Sequence, residues 1–338
     1  MHAFLVRALL LLLALAALAA ALFYWQYRLF LATPLAVGET GVILDVPRGN
    51  GLRHLSDELA TRGLIDAPDL LVLYGRLNGM DTGIKAGEYR IEPGTTPPHL
   101  LRQLLSGQVV LHPLTLVEGW TFAQALAVVR ATPQLTATLD GLDGAAVMAR
   151  LGEPGMHPEG LFFPDTYHFP RGTTDLEFLR RARTTMREVL AAAWERRAEG
   201  LPFDDPYQAL VLASIVEKET AVPAERPEVA GVFVRRLQQG MRLQADPTVI
   251  YGLGAAFDGD LRRRDLRADS PYNTYTRAGL PPTPIALPGR GAIEAVLNPA
   301  AGKALYFVAT GDGRHVFAET LTEHEANVRR YQLRGRGG

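Results

Sequence analysis

The sequence contains no cysteine, which removes disulfides, thiolate metal sites and thiol nucleophiles together. It lacks an excess of charge of either sign, with 35 Lys and Arg against 36 Asp and Glu. The basic footprint that nucleic acid requires is therefore missing. Its eight histidines fall at no metal-ligand spacing, and GLGAAF, from Gly252, lacks the third glycine and the preceding strand of a dinucleotide loop. No internal repeat marks a solenoid. Neither a cofactor nor a metal is expected. What is present is a 338-residue chain, 47% hydrophobic and 21% charged, enough for one large domain or two of usual size.

Long apolar runs are also absent, with one exception. From Ala8 to Trp25 no residue is charged, and these 18 residues just suffice to span a hydrocarbon core of about 30 Å. Phe23, Tyr24, Trp25 and Tyr27 close the run as an aromatic belt would, with Arg28 outside it. The run predicts an uncleaved single-pass anchor over residues 1–31. A cleaved signal peptide is the competing reading, because Ala17-Leu18-Ala19 supplies small residues at the required spacing. Arg7 and Arg28 nearly balance, so they do not set the orientation.

After a linker, Leu31 to Glu39, short units alternate. GVILDVPRGNG predicts a strand, LRHLSDELATRGLI and APDLLVLYGRLNGM two helices, IKAGEYRIEPG a second strand, and TPPHLLRQLLSGQ a helix that ends at Gly107. This is a small α+β module over residues 40–108. Its strand–helix–helix–strand core resembles the LysM type of glycan-binding module; a spacer without ligand is the alternative. Residues 109–332 form a larger mixed α+β region, giving an α+β protein overall. Its helices include TFAQALAVVRA, LEFLRRARTTMREVLAAAWERRAEG, YQALVLASIVEKET and PEVAGVFVRRLQQG. LYFVAT and HVFAE alternate as a hairpin across Gly311-Asp312-Gly313, and Thr322 with Glu325 has the spacing of a capping box for a last helix. Residues 333–338, with RGRGG, are expected to be disordered.

LASIVEKET, Leu212 to Thr220, is an apolar helix that ends in two glutamates. In a helix Glu217 and Glu219 point roughly 160° apart. Glu219 follows Leu212, Ile215 and Val216 on the apolar stripe, whereas Glu217 follows Leu210, Ala213 and Ser214. Glu219 is thus the carboxylate aimed at the core or a cleft wall. Desolvation, and the negative end of a helix that must stop before Val222-Pro223, both raise its pKa. Such a glutamate is suited to general acid catalysis near neutral pH. An ion pair with a nearby arginine is the structural alternative.

Two segments dense in proline and glycine follow, MRLQADPTVIYGLG and SPYNTYTRAGLPPTPIALPG, and both read as loops. They carry Gln244, Asp246, Thr248, Tyr251, Asn273, Thr274 and Tyr275, the amides, hydroxyls and rings that a sugar cleft uses. ASIVEKETAV, GMRLQADPTVIYG, PYNTYT, GLPP with PIA, and EGLFFPDTY from Glu159 to Tyr167 together resemble the MltG (YceG-like) family of endolytic murein transglycosylases. The resemblance extends in order from the anchor to the final helix. Thr283 stands where that family usually has glycine, and Ala245 where it often has threonine or serine.

The resemblance implies an enzyme of the inner (plasma) membrane with its catalytic region on the extracytoplasmic, periplasmic side. It implies peptidoglycan strands as substrate, cut between N-acetylmuramic acid and N-acetylglucosamine inside nascent chains to leave 1,6-anhydro ends. This would terminate glycan elongation beside peptidoglycan synthases or division proteins. Glu219 matches the family's catalytic acid. Gln244, Asp246, Tyr251, Asn273, Thr274, Tyr275 and Tyr167 are the candidate substrate contacts. Asp246 and Asp165 both neighbour prolines and are expected to be structural, as turn residues; either one opposite Glu219 would permit hydrolysis instead. Two other readings differ in class. Ser214 and Lys218 at i,i+4 could form the dyad of a membrane peptidase, and the whole could be a non-catalytic glycan-binding scaffold. His168 is expected to pack or line a cleft, His315 and His324 to belong to a strand and a helix, and RRRDLR, Arg262 to Arg267, to be a solvated face.

Overall fold

The computed structural model describes residues 2–47 and 49–333. The chain divides into two compact units, residues 1–112 with 169–172 and residues 113–168 with 173–338. It is a mixed α+β protein.

In the first unit, α1 (His2–Ala32) is one uninterrupted helix of 31 residues. Its large apolar side chains from Phe4 to Trp25 are exposed. By length and composition Ala3–Ala32 could cross a membrane, and at about 1.5 Å per residue it spans about 45 Å, more than a hydrocarbon core needs. β1 (Val42–Val46), α2 (Leu52–Thr61), α3 (Pro68–Leu77), β2 (Gly87–Ile91) and α4 (Pro97–Ser106) follow. β1 and β2 pair antiparallel, from Val42 opposite Ile91 to Val46 opposite Gly87. Strand alternation sends Leu44, Val46, Tyr89 and Ile91 inward. They meet Leu55 and Leu59 of α2, Leu71 of α3, and Leu100 and Leu104 of α4 in one core. The buried Tyr89 hydroxyl donates to the Lys85 carbonyl at 2.7 Å, which leaves no unpaired polar atom at its tip.

β3 (Leu111–Thr115) pairs with β4 (Thr166–Pro170), and the chain passes between units within these strands. The second unit is mainly helical: α5 (Phe122–Arg130), α6 (Gly144–Leu151), α7 (Asp175–Glu195), α8 (Pro206–Glu219), α9 (Arg226–Gln238), α10 (Asp246–Leu253), α11 (Arg263–Arg267) and α12 (Arg290–Leu297). An antiparallel hairpin of β5 (Tyr306–Ala309) and β6 (His315–Ala318) and a last helix, α13 (Leu321–Val328), complete it. α8 starts where Asp205 accepts the Gln208 N–H at 2.9 Å with Pro206 in the first turn. Every residue from Ala209 to Val216 is buried, because α7, α9, α10 and α12 all pack on it. It is apolar on all sides rather than along one stripe, as a helix at the centre of a unit must be.

Two local expectations need correction. ADPTVIYGL is not a loop but α10, since Pro247 sits in the first helical turn, where a missing N–H costs nothing. The capping box of α13 is Thr320 with Glu323, not Thr322 with Glu325; both pairs have the right spacing, and the two extra residues cover the start of the helix. Thr283 has no left-handed backbone; its hydroxyl bonds Tyr272 Oη at 2.9 Å and the Pro284 carbonyl at 2.8 Å. Residues 334–338 of the expected tail lie outside the described residues.

Gly160 shows how tightly the second unit closes. Its φ is +76°, and a Cβ placed there would lie 2.4 Å from Pro284 Cβ and 3.2 Å from the Ala286 carbonyl. Both the left-handed backbone and the missing side chain are required. Gly160→Ala is expected to destabilise the chain by about 2 kcal/mol or more, read as a fall in Tm of the detergent-solubilised full chain by about 5 °C.

Candidate active site

The end of α8 separates its two glutamates as the helical wheel requires. Thr220 leaves the helix at φ −133°, ψ 129°, and its hydroxyl accepts the Val222 N–H at 3.1 Å. Glu217 is buried on one side, with its side chain 5% exposed. There it pairs with Arg226 at 3.0 Å and accepts the Gly289 N–H at 2.9 Å. The arginine alternative weighed for Glu219 therefore describes Glu217 instead.

Glu219 faces a cavity of about 490 Å³. Its Oε2 is buried and has no hydrogen-bond partner. Burial raises its pKa to about 7; the charge of Asp246 adds to the rise and Arg236 opposes it. Asp246 is the first residue of α10 and lines the same cavity. It is thus no mere turn residue, since helix α10 carries its carboxylate to the site. Its Oδ1 accepts the Tyr275 hydroxyl at 2.5 Å, and burial, with Asp246, raises the Tyr275 pKa. Gln244 lines the cavity too, with φ +52°, the one non-glycine residue in the left-handed region among those described. Such backbone stores about 1–3 kcal/mol and needs its surroundings to hold it. Thr274 does so: its carbonyl accepts the Gln244 N–H at 3.1 Å, and its hydroxyl accepts the Ala245 N–H at 3.0 Å and meets Thr248 Oγ1 at 2.9 Å.

The opposite wall is one the sequence reading missed. Phe307, Val308, Ala309 and His315 of the hairpin, with His324 and Val328 of α13, line the cavity. Arg236 of α9 fastens this wall. Buried, it donates to the Leu305 carbonyl at 2.7 Å and to the Leu243 carbonyl at 2.8 Å, just before Gln244. A second fastening joins β6 to the segment after α8. Glu225 accepts the His315 backbone N–H at 3.1 Å and meets its Nδ1 at 2.9 Å. Burial works against ionisation of Glu225, but these bonds hold its pKa below the usual range. No motif spacing marks these groups; only the alternation of the hairpin hinted that a wall existed. His324 Nδ1 is buried with no partner, a condition that costs about 1–3 kcal/mol.

The remaining candidates stand behind the site. Asn273 is buried, and its amide donates to the carbonyls of Asp265, Leu266 and Ala268 while its Oδ1 accepts the Tyr275 N–H. It shapes the loop that carries Tyr275. Thr274 is spent on Ala245 and Thr248, as above. Tyr167 is core: its hydroxyl donates to the Phe163 carbonyl at 2.8 Å, and its ring meets Phe178 edge-on. Tyr251 donates to Glu159 Oε2 at 3.1 Å and packs edge-on against Tyr272 at 4.9 Å. Glu159, whose other oxygen accepts the Phe122 N–H at 2.8 Å, has its pKa raised by burial to about 7 despite those bonds. Glu159, Tyr251, Tyr272 and Thr283 thus join EGLFF, DPTVIYG, SPYNTYT and LPPTPIA into one support. Asp165 is exposed and accepts the Thr166 N–H at 2.7 Å, away from the cavity. Ser214 is fully buried, donating to the Val211 carbonyl and accepting the Ile285 N–H, while Lys218 donates to the Gly119 carbonyl. That pair therefore presents no exposed nucleophile.

Comparison with known proteins gives the family. The YceG-like family matches residues 44–330. A protein of Bacillus subtilis named endolytic murein transglycosylase is 30% identical over 310 residues, 87% of this chain and 85% of its own length. One of the same name from Streptococcus pneumoniae is 27% identical over 90% of this chain, which spans 61% of that longer relative. The crystal structure of a YceG-like protein from Listeria monocytogenes aligns with TM-score 0.51 and 28% identity, over 86% of this chain and 99% of the other. The chain belongs to the YceG-like family.

Proposed function

We propose that the protein is a membrane-anchored endolytic murein transglycosylase in which Glu219 serves as the single general acid and base. The observation that carries this reading is Glu219 itself, whose Oε2 is buried and unpartnered and whose side chain lines a cavity of about 490 Å³, large enough for sugar rings. The names of the Bacillus and Streptococcus relatives support it. With its pKa near 7, Glu219 is protonated in a large fraction of molecules at neutral pH. It gives that proton to the glycosidic oxygen between N-acetylmuramic acid and N-acetylglucosamine, and the C1–O bond breaks. As carboxylate it then takes the proton of the muramic acid 6-hydroxyl, whose oxygen closes on C1. The product is a 1,6-anhydro end, with no water consumed and Glu219 protonated again.

Asp246 has two effects in this scheme. Its negative charge favours the protonated form of Glu219 before bond cleavage, and it stabilises the positive charge that develops at C1. The Tyr275 hydroxyl orients the Asp246 carboxylate, and Gln244 offers its amide to the substrate. The order β1-α2-α3-β2 supports a LysM-like glycan-binding role for the first unit, α1 supports a single-pass anchor, and the names of the relatives support an extracytoplasmic place for the rest of the chain. Cutting nascent strands there would end glycan elongation beside synthases or division proteins. A second reading, hydrolysis with Asp246 activating water, is favoured by one observation, that both carboxyls line one cavity. Engagement of Asp246 by Tyr275 weighs against it.

Product analysis separates these readings. Peptidoglycan treated with the wild-type chain should yield anhydro ends by mass spectrometry, whereas reducing ends would mean hydrolysis. Glu219→Gln is expected to lose activity by about 100- to 10,000-fold. Glu217→Gln should leave the product type unchanged but lower the stability by about 3 kcal/mol, since it breaks a buried ion pair. The pH profile follows from the sign of the Glu219 shift. The acid form is present below about 7 and is lost above it. Accordingly kcat/KM should be level on the acid side of that value and fall about tenfold per pH unit beyond it.

A further inference from the structure

Among the described residues, three buried side-chain atoms lack a hydrogen-bond partner, Glu219 Oε2, Arg226 Nε and His324 Nδ1. Arg226 is already paired through its Nη2 with Glu217 and Glu118. The other two belong to side chains that line the same cavity, Glu219 of α8 and His324 of α13. The mechanism uses the first and leaves the second without a task. A buried polar atom without a partner is a standing cost, and the two side chains that carry these atoms line one cavity.

Packing, rather than hydrogen bonding, holds the His324 ring. It stacks on Tyr306 at 5.3 Å with the ring planes 23° apart, and the Arg236 guanidinium lies 5.2 Å from the centre of that tyrosine ring. Burial, helped by Arg236 and opposed by Glu325, lowers the pKa of His324 and so favours the neutral imidazole. A neutral imidazole offers one donor and one acceptor. Sugar hydroxyls and acetamido groups supply both kinds of partner. The wall itself is pinned from two sides, by Arg236 and by the Glu225–His315 contacts, as a surface must be if it is to contact a substrate with fixed geometry.

We propose that His324 is a substrate-binding residue: its imidazole hydrogen-bonds a hydroxyl or acetamido group of the saccharide that lies against Glu219. The hairpin β5–β6 and α13 are then one wall of the glycan cleft. The inference rests on the transglycosylase reading for its choice of ligand, and its test is built so that the two can fail separately.

The test uses the detergent-solubilised full chain and a peptidoglycan oligosaccharide of defined length. In the Glu219→Gln background, affinity is measured by calorimetry with and without His324→Phe, which keeps the ring stack and removes both nitrogens. His324→Asn, whose amide stands near the place of Nδ1, is the conservative variant. The expected result is a tenfold or greater loss of affinity in His324→Phe with an unchanged or higher Tm, and partial recovery in His324→Asn. A higher Tm would follow from removing a buried unpaired atom. Affinity within twofold of the parent, or a loss that tracks a fall in Tm, overturns the proposal, because a merely structural histidine behaves so. Turnover by the otherwise wild-type chain is scored on the same saccharide. Binding that depends on His324 without cleavage overturns the transglycosylase reading and upholds the subsite; no binding at all overturns both.

Discussion

One carboxyl group kept from water determines most of this arrangement. Glu219 is the last residue of a helix whose preceding turns are buried on every side. The cost of holding it there is the cost of desolvating an acid, and the group responds by keeping its proton. Asp246 pushes in the same direction. In the proposed mechanism the acid is thus created by position, and each contact that fixes α8, α10 and the hairpin acts on its chemistry.

Fixing α10 is the task of residues that never reach the cavity. Glu159 ties Tyr251 on α10 to the first turn of α5, and Tyr272 and Thr283 extend the same support across the proline-rich segment. A second, smaller set around Thr274 holds Gln244 in a backbone conformation it would not choose alone. The strained residue lines the same cavity as Glu219 and is held by the buried hydroxyls of Thr274 and Thr248.

Legibility in the sequence followed the range of the interactions. The module was readable because its strands and helices are specified locally: alternation gave β1 and β2, and leucine spacing gave α2 and α4. That Glu217 and Glu219 point to different surroundings was readable because it depends only on helix geometry. The fate of Glu217 was not, since Gly289 and Arg226 reach it from other segments. α10 was concealed by Pro247, which punctuates a loop or opens a helix with equal ease. Asn273 and Tyr251 carried the right chemistry for a sugar cleft, yet their amide and hydroxyl are consumed by neighbours that only the fold brings close. The far wall was the least legible part. Arg236, His315 and His324 come from three elements, and no spacing in the chain announces that they enclose one cavity.

The account stands or falls on the protonation of Glu219. Its carboxyl can be titrated directly by ¹³C NMR in labelled full-length protein, assigned by its loss in Glu219→Gln, and compared with the Asp246→Asn variant. The account predicts titration near 7 in the wild-type chain and a lower midpoint once the Asp246 charge is removed. A midpoint in the ordinary carboxylate range, or one indifferent to Asp246, would contradict it.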